Sequence, residues 1–351
     1  MKIAIDAMGG DLAPRSPVLG TLQFLQDQTS GMEVILVGDK TILKEELGRS
    51  IPKGIRIHHT TQVVTMHEQG SKAIKTKPDS SIVQGINLVK DGLADAFVSA
   101  GHTGAIIATS LLSLGCIEGL RRPALAAYIP TATGGKIICD VGANPDARPE
   151  HMLQFAIMAA IYFDHVEGKS HPKIGLVNIG SEPSKGSELY QETHKLLKKE
   201  LPNDFIGNVE GRQLLDSPAD ILICDGFVGN TILKFGESWV NLFIGQLNKQ
   251  IMNKRSYQMV ARMLQPVFTN LKKLYDYEEF GGVPLLGVNE VVIVSHGNSS
   301  PKAVKNSLLA AKKCITENLL GDIQHGITEH MVVVNCELQL QQPAVICPII
   351  S

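Results

Sequence analysis

The stretch KIGLVNIGSEPSKGSE, residues 173–188, decides how the chain is read. Its first half is a continuous apolar run without polar alternation, the pattern of a strand covered on both faces. The run hands over abruptly to Gly, Ser, Glu, Pro and Lys, and helical spacing of apolar residues follows from Gly186 to Leu201. Strand, small polar loop and helix make the repeating unit of a parallel sheet. Two readings of the loop stand. It is a plain turn, or it is a cradle for a small anion with Lys185 pointing into it.

The same unit recurs along the chain. Apolar runs KIAID, EVILVG, IRIHHT, DAFVSAG, KIICDVG, DFIGN, ILICDG and EVVIVSHG predict further strands. Helical spacing covers Pro17–Gln26, Ser80–Gly92, Thr103–Leu114, Pro149–Phe163 and Lys302–Leu319. This alternation predicts a three-layer α/β/α fold on a mostly parallel sheet. Residues 1–330 read as one such domain. From about 231 to 275 the strand signal stops and Trp239, Leu242, Phe243, Met259, Met263, Phe268 and Leu271 recur at helical spacing. That segment predicts a projecting helical subdomain serving as core and dimer interface, or as a basic apolar tip on an anionic membrane carrying Lys254 and Arg255. Residues 331–351 form an apolar tail that suits an edge strand or a packing arm.

Bulk properties narrow the function. Of 351 residues, 44% are hydrophobic and 19% charged, enough for a large core and against disorder. A net charge of −2 argues against a nucleic-acid binder. The six cysteines form no CxxC pair and read as reduced core thiols of an intracellular protein. No run is long enough to span a bilayer, and no HExxH, GxSxG or spaced Cys/His set appears, so no metal or cofactor is expected.

Six strand-like runs end in small polar loops. They carry Gly9, Gly10 and Asp11; Gly101, His102, Thr103 and Gly104; Gly142 and Asn144; Gly180, Ser181 and Glu182; Asp225, Gly226, Gly229 and Asn230; and His296 to Ser300. In an open parallel sheet, strand carboxyl ends share one rim, where ligands bind. Neither GxxxxGK[ST] nor GxGxxG is present, so a nucleotide is poorly supported. A compact anion fits better. Asp6, Asp140 and Asp225 also suit a loop-tying role. His58 and His59 face opposite sides of one strand.

Together IAIDAMGGDLAP, SAGHTGA, RPALAA, DVGANPDARPEH, NIGSEPSKGSE, FIGNVEGRQLL, DGFVGN and FGGVPLLG resemble the PlsX family of bacterial phosphate acyltransferases, in order, from Met1 to about Leu320. The resemblance implies an isocitrate/isopropylmalate dehydrogenase-like α/β/α fold and a homodimer. It implies conversion of acyl-[acyl-carrier-protein] and inorganic phosphate to acyl phosphate, feeding phospholipid synthesis. It also implies a cytoplasmic location, peripheral attachment to the cell membrane, and a downstream membrane glycerol-3-phosphate acyltransferase as partner. Family members usually carry Asn at the position of His102, and AHGSS where this chain has SHGNS.

Orthophosphate is already an oxyanion at neutral pH, so it needs positioning more than deprotonation. Gly9, Gly10, Asp11, Gly101, His102, Thr103, Gly104, Asn144, Gly180, Ser181, Glu182, Asp225, Gly226 and Gly229 are the expected phosphate and thioester site, with Lys185, His296 and Asn230 as catalytic candidates. Oxyanion donors are sought among the amides of Gly180–Ser181 or Asn230–Thr231, or Asn144. The leaving thiolate takes its proton from Lys185, His296 or water. Arg121, Arg122, Arg148 and the Lys and Arg residues of the helical segment, Lys249, Lys254, Arg255, Arg262, Lys272 and Lys273, are candidates for docking the acidic carrier protein. A coenzyme A-dependent phosphate acetyl- or butyryltransferase and a non-catalytic anion-binding scaffold are the rival readings.

Overall fold

A computed structural model describes the chain except residues 29, 30, 49, 132, 133, 268–280 and 341–351. Its strands are β1 (Lys2–Asp6), β2 (Glu33–Gly38), β3 (Ile55–His59), β4 (Ala96–Ser99), β5 (Ala124–Thr131) and β6 (Gly134–Cys139). They continue with β7 (Ile174–Asn178), β8 (Phe205–Glu210), β9 (Ile221–Ile223), β10 (Val283–Leu286) and β11 (Val291–Val294). Helices α1 (Arg15–Gln26), α2 (Lys40–Leu47), α3 (Ala73–Thr76), α4 (Ser81–Lys90), α5 (Thr103–Ser113), α6 (Pro149–Glu167) and α7 (Glu188–Glu200) lie between them. Helices α8 (Gly226–Met252) and α9 (Arg255–Met263) interrupt the alternation, and α10 (Pro301–Thr316) and α11 (Leu319–Leu340) close it.

The strands form one sheet in the order β3-β2-β1-β4-β11-β10-β5-β6-β9-β7-β8. Both of its faces are apolar, because successive residues of each strand go to opposite sides. Ile3, Ile5, Ile137 and Ile221 join a core with Phe24 of α1, Phe155 of α6 and Leu308 of α10. Ala4, Phe97, Ile138 and Leu222 join another with Ile86 of α4 and Ile106 of α5, on which Val228 and Ile232 of α8 pack. The three layers follow from this double-sided burial.

One expectation fails. Strand carboxyl ends do not all point one way. β10 runs antiparallel to β11 and to β5, and β5 runs antiparallel to β6. β1, β4 and β11 are mutually parallel, as are β6, β9 and β7. The odd number of reversals between these sets turns one against the other. The loops therefore fall on two rims, one built by β1-β4-β11 and one by β6-β9-β7. The strands that cause the reversal gave no strand signal: β5 opens Ala-Leu-Ala-Ala, and β10 is four residues long with Pro284 inside.

The helical break begins earlier than its apolar spacing suggests, since α8 starts at Gly226. Phe235, Trp239, Phe243, Met259 and Met263 are exposed along α8 and α9. Phe268, Leu271 and the rest of 268–280 lie outside the described residues. The tail does not begin as an edge strand: residues to Leu340 belong to α11, and 341–351 lie outside the described residues.

Candidate active site

The first rim is organised by a buried carboxylate. Asp6 accepts hydrogen bonds from the Met8 amide (3.1 Å) and the Ser99 hydroxyl (2.7 Å), and Ser99 Oγ accepts from the Gly101 amide (3.0 Å). Burial pushes the Asp6 carboxyl above its ordinary pKa, and the hydroxyl and amide donors oppose that shift. The Asp11 amide donates to Gly297 O at 2.7 Å, joining the β1 and β11 loops. A Cβ on Gly9 would lie 2.1 Å from Asp6 Oδ2 and 2.8 Å from Gly101 Cα. Glycine there serves the packing of loop on loop.

His102 caps α5. Its Nδ1 accepts from the Ala105 amide (3.3 Å), and its Nε2–H donates to Glu68 O (3.0 Å). Both ring nitrogens are thus used within the chain, in a role that Asn, a strong N-cap residue, performs equally. This accounts for the His-for-Asn departure without a catalytic imidazole. Glu68 is itself anchored by the Lys77 ammonium (2.6 Å) and the Thr65 hydroxyl (2.7 Å), Lys77 foremost, and its carboxyl is held down to about 2.

The second rim repeats the plan. Asp140 accepts from the amides of Leu125, Gly142, Ala143 and Asn144 and from Asn144 Nδ2, at 2.6–3.2 Å. Asn144 Nδ2 also reaches Pro123 O at 2.7 Å. Asp225 caps α8 by accepting from the Phe227 and Val228 amides, both at 2.9 Å, and its other oxygen accepts from Tyr190 OH at 2.7 Å. The Gly226 amide donates to Asn144 O and the Gly229 amide to Asp225 O. The leading amides of α8 are therefore all taken. Asn230 and Thr231 follow inside the helix, so the α8 backbone offers no oxyanion hole there.

What remains free is more informative. Within the loop after β7, Asn178 donates to Lys185 O, and Gln191 donates to Ser184 O and Gly186 O. The loop is braced, yet the amides of Gly180 and Ser181 make no hydrogen bond among the described residues. Lys185 is exposed, its stem against Gly180, where a Cβ would meet Lys185 Cγ at 2.8 Å, and it makes no ion pair among the described residues. Asn230 is half-buried, lies beside Gly142, and its side-chain amide is unpartnered among the described residues. These groups come from β7 and β9, neighbours in the sheet. Of the predicted site, Lys185, Asn230, Gly180 and Ser181 lie on the second rim, with their polar groups unpartnered among the described residues. Asp225 and Asn144 belong to the same rim but are spent on holding it. Gly9, Gly10, Asp11, Gly101, Thr103, Gly104 and His296 belong to the other.

Helix α8 joins the two rims. Asn230, Lys234 and Glu237 follow one another at i, i+4 and i+7 on one face, spanning roughly 10 Å. At the far end Glu237 Oε2 lies 3.6 Å from His296 Nε2. Glu237 and Lys234 stand at helical spacing from Asn230, the one sequence signal that sets them on its face of α8. A hollow of about 270 Å³ between β5, α6 and α10 contains none of the candidate residues. Among the described residues no three His, Cys, Asp or Glu side chains converge as metal ligands, and no helix is long and apolar enough to cross a membrane.

The fold is a three-layer α/β/α architecture like that of the phosphotransacetylases. It superposes on a phosphotransacetylase from Streptococcus pyogenes with a TM-score of 0.57 at 16% identity, over 89% of this chain and 94% of that one. A branched-chain phosphotransacylase from Enterococcus faecalis gives 0.54 at 14%, over 89% and 98%. At such identities the likeness is one of fold. The family is set by sequence. Residues 1–321 match the family model described as "Fatty acid synthesis protein". The chain is 46% identical to a phosphate acyltransferase of Desulfitobacterium hafniense over 92% of its length and 97% of the relative's. With that of Moorella thermoacetica it shares 45% over 96% and 99%. The chain belongs to the phosphate acyltransferase (PlsX) family and is an enzyme of the acyltransferase class.

Proposed function

We propose that this enzyme transfers an acyl group from the thioester of acyl-[acyl-carrier-protein] to inorganic phosphate, forming acyl phosphate and free carrier protein for phospholipid synthesis. The observation that carries the site assignment is the division of polar groups on the second rim. Asp140, Asn144, Asn178 and Asp225 are consumed by the fold, whereas Lys185, Asn230 and the Gly180 and Ser181 amides have no partner among the described residues and are left to act on substrate.

Phosphate is held by Lys185 and Asn230 and attacks the thioester carbonyl directly. The amides of Gly180 and Ser181 are the oxyanion donors, in preference to those of Asn230 and Thr231, which lie within α8. Such positioning offsets up to roughly 7–11 kcal/mol of encounter cost. The protein does not need a side-chain nucleophile. Cys139 and Cys224 are buried, and burial pushes both thiols well up, which keeps them out of thiolate chemistry.

The carrier protein docks beside the second rim. Arg121, Arg122 and Arg148 are exposed there around His151, whose pKa falls first through burial and then through the nearby guanidiniums, Arg122 foremost. The acyl chain runs along α8 past Phe235 and Trp239, whose rings stack at 6.5 Å. The exposed apolar faces of α8 and α9 serve a homodimer and contact with the cytoplasmic face of the cell membrane, where acyl phosphate passes to a glycerol-3-phosphate acyltransferase. Residues 1–330 act as one catalytic domain, with the helical insertion from about 231 to 275 as this contact region.

Detection of acyl phosphate by mass spectrometry, from acyl-carrier protein and phosphate, tests the reading; absence of product under saturating substrates contradicts it. A phosphotransacylase using coenzyme A thioesters is the second reading, favoured only by the fold neighbours. A donor competition assay separates the two.

A further inference from the structure

The turn that carries Lys185 is held from outside by a short relay of side chains. The Lys185 amide donates to Glu182 O at 3.1 Å, closing a turn with Pro183 in its second position, where a fixed φ suits it. The same carbonyl accepts from Asn208 Nδ2 of β8 at 2.8 Å. Asn208 Oδ1 in turn lies 2.9 Å from Nδ1 of His194 on α7. The direction of these bonds is forced. A backbone carbonyl only accepts, so Asn208 presents its NH2 to Glu182 and its oxygen to the ring, and the facing ring nitrogen is Nδ1–H. His194 is only 6% exposed, and Phe205 meets its ring edge-on at 5.1 Å, so packing fixes the imidazole. Tyr190, Gln191 and His194 share one side of α7. Tyr190 reaches Asp225, and Gln191 reaches the carbonyls of Ser184 and Gly186. His194 reaches the Lys185 turn through Asn208.

We propose that Asn208 and His194 are positioning residues for Lys185: His194 sets the orientation of the Asn208 amide, and that amide anchors the carbonyl on which the Lys185 turn closes. The proposal rests on the acyl-transfer reading for the use made of Lys185 on phosphate. Neither side chain touches a reacting atom, and the effect passes through the backbone of 182–185. Asn178 holds the other side of the Lys185 residue by donating to its carbonyl at 3.1 Å. Asn178 stands on β7 and Asn208 on β8, so two neighbouring strands grip one turn. Held this way, the Lys185 stem lies against Gly180, where a Cβ would meet Lys185 Cγ at 2.8 Å. A lysine carries its charge on a flexible four-carbon stem, so the direction in which that stem leaves the backbone is what the fold can supply. Releasing the β8 grip lets the turn pivot on Asn178, and the ammonium must then be ordered at the moment phosphate binds.

Two measurements test the relay. Long-range proton–nitrogen NMR of the full wild-type chain reads which ring nitrogen of His194 carries a proton. The relay requires one on Nδ1; a bare Nδ1 overturns it, and this arm reads out whether or not the enzyme turns over. The second measurement is kcat and KM, for phosphate and for the acyl thioester, in Asn208→Ala, His194→Leu and His194→Asn. In Asn208→Ala, kcat/KM for phosphate falls roughly tenfold or more, the scale of one lost hydrogen bond or a small misplacement. KM for the thioester stays within about twofold. His194→Leu behaves alike, and His194→Asn, whose Nδ2 takes the place of Nδ1–H, restores most of the loss. Added to Lys185→Ala, Asn208→Ala changes kcat/KM for phosphate by less than about twofold, because its effect travels through the ammonium already removed. Equal losses toward both substrates, or a full further loss on the Lys185→Ala background, overturn the positioning role. Failure of the wild type to make acyl phosphate from either thioester strikes the proposed function, while the NMR arm still judges the relay.

Discussion

The hydroxyl of Tyr190 donates to Asp225 Oδ2 at 2.7 Å, tying the first turn of α7 to the cap of α8. Through this bond the loop bearing Lys185 and the helix bearing Asn230 are held in one frame. Burial first, and Asp225 second, push the Tyr190 phenol far above its ordinary range, so it remains a donor at every working pH. Tyr190→Phe removes the bond but leaves the α8 cap its two amides. The expected outcome is a loss of about 1.5–3 kcal/mol in urea unfolding, the range for a hydrogen bond to a charged group. Turnover should fall more than this modest change in folded fraction explains, because the frame loosens. Stability and kcat measured on one preparation check both parts.

Glycine substitutions separate packing from backbone freedom. A Cβ on Gly229 would lie 1.9 Å from Asp140 O, a backbone atom that cannot swing aside. Gly229→Ala should destabilise by at least about 1–3 kcal/mol through overpacking. Gly236, on the same helix, meets nothing within 4 Å. Gly236→Ala should stabilise by up to roughly 1 kcal/mol through helix propensity. Denaturant midpoints of the pair give the answer; equal effects would mean that the contact at Gly229 is not rigid.

The role of His102 as a cap has a simple consequence. His102→Asn keeps an acceptor for the α5 amides and should leave stability within about 0.5 kcal/mol, whereas His102→Ala should cost about 1 kcal/mol. Activity that collapses in the Asn variant while its stability is kept would instead place the imidazole in the chemistry.

Much of this was legible in the sequence. The strand at 174–178 and the loop after it stood out because a doubly buried strand is continuously apolar and its exit is not. The same contrast marked Asp6, Asp140 and Asp225 as strand-end anchors. The reversal of the sheet was not legible. It is carried by β5 and β10, whose Ala-rich and Pro-containing sequences are held in place by their neighbours, Leu125 opposite Leu285, and not by propensity. Nor did sequence distinguish spent polar groups from free ones. His102 and Lys185 look equally functional in their loops, and only the partner at Glu68 O assigns the first to the fold. The Glu237–His296 contact depends on the tertiary path of α8.

The Glu68 latch titrates in a defined window. Its carboxyl is depressed from 4.5 to about 2, chiefly by Lys77 and then by Thr65. A depressed carboxylate contributes stability above its unfolded pKa and loses it as pH falls toward the folded one. Order in the segment around Thr65 should therefore persist at pH 5 and weaken between about 4.5 and 2. Carboxyl-carbon NMR of Glu68, with amide exchange at Thr65, follows this directly. A Glu68 midpoint near 4.5 would mean that the Lys77 contact is absent in solution.

The central claim is that the second rim holds free orthophosphate through Lys185 and makes it the nucleophile. The rate of acyl phosphate formation against phosphate concentration, for wild type and Lys185→Ala, tests it most directly. Lys185 is exposed and makes no ion pair among the described residues, so its removal should leave thermal unfolding unchanged. The account predicts a fall in kcat/KM for phosphate of roughly 10²–10³, the scale seen when one donor is taken from a preorganised anionic site. A variant that retains near-normal kcat/KM for phosphate would contradict it.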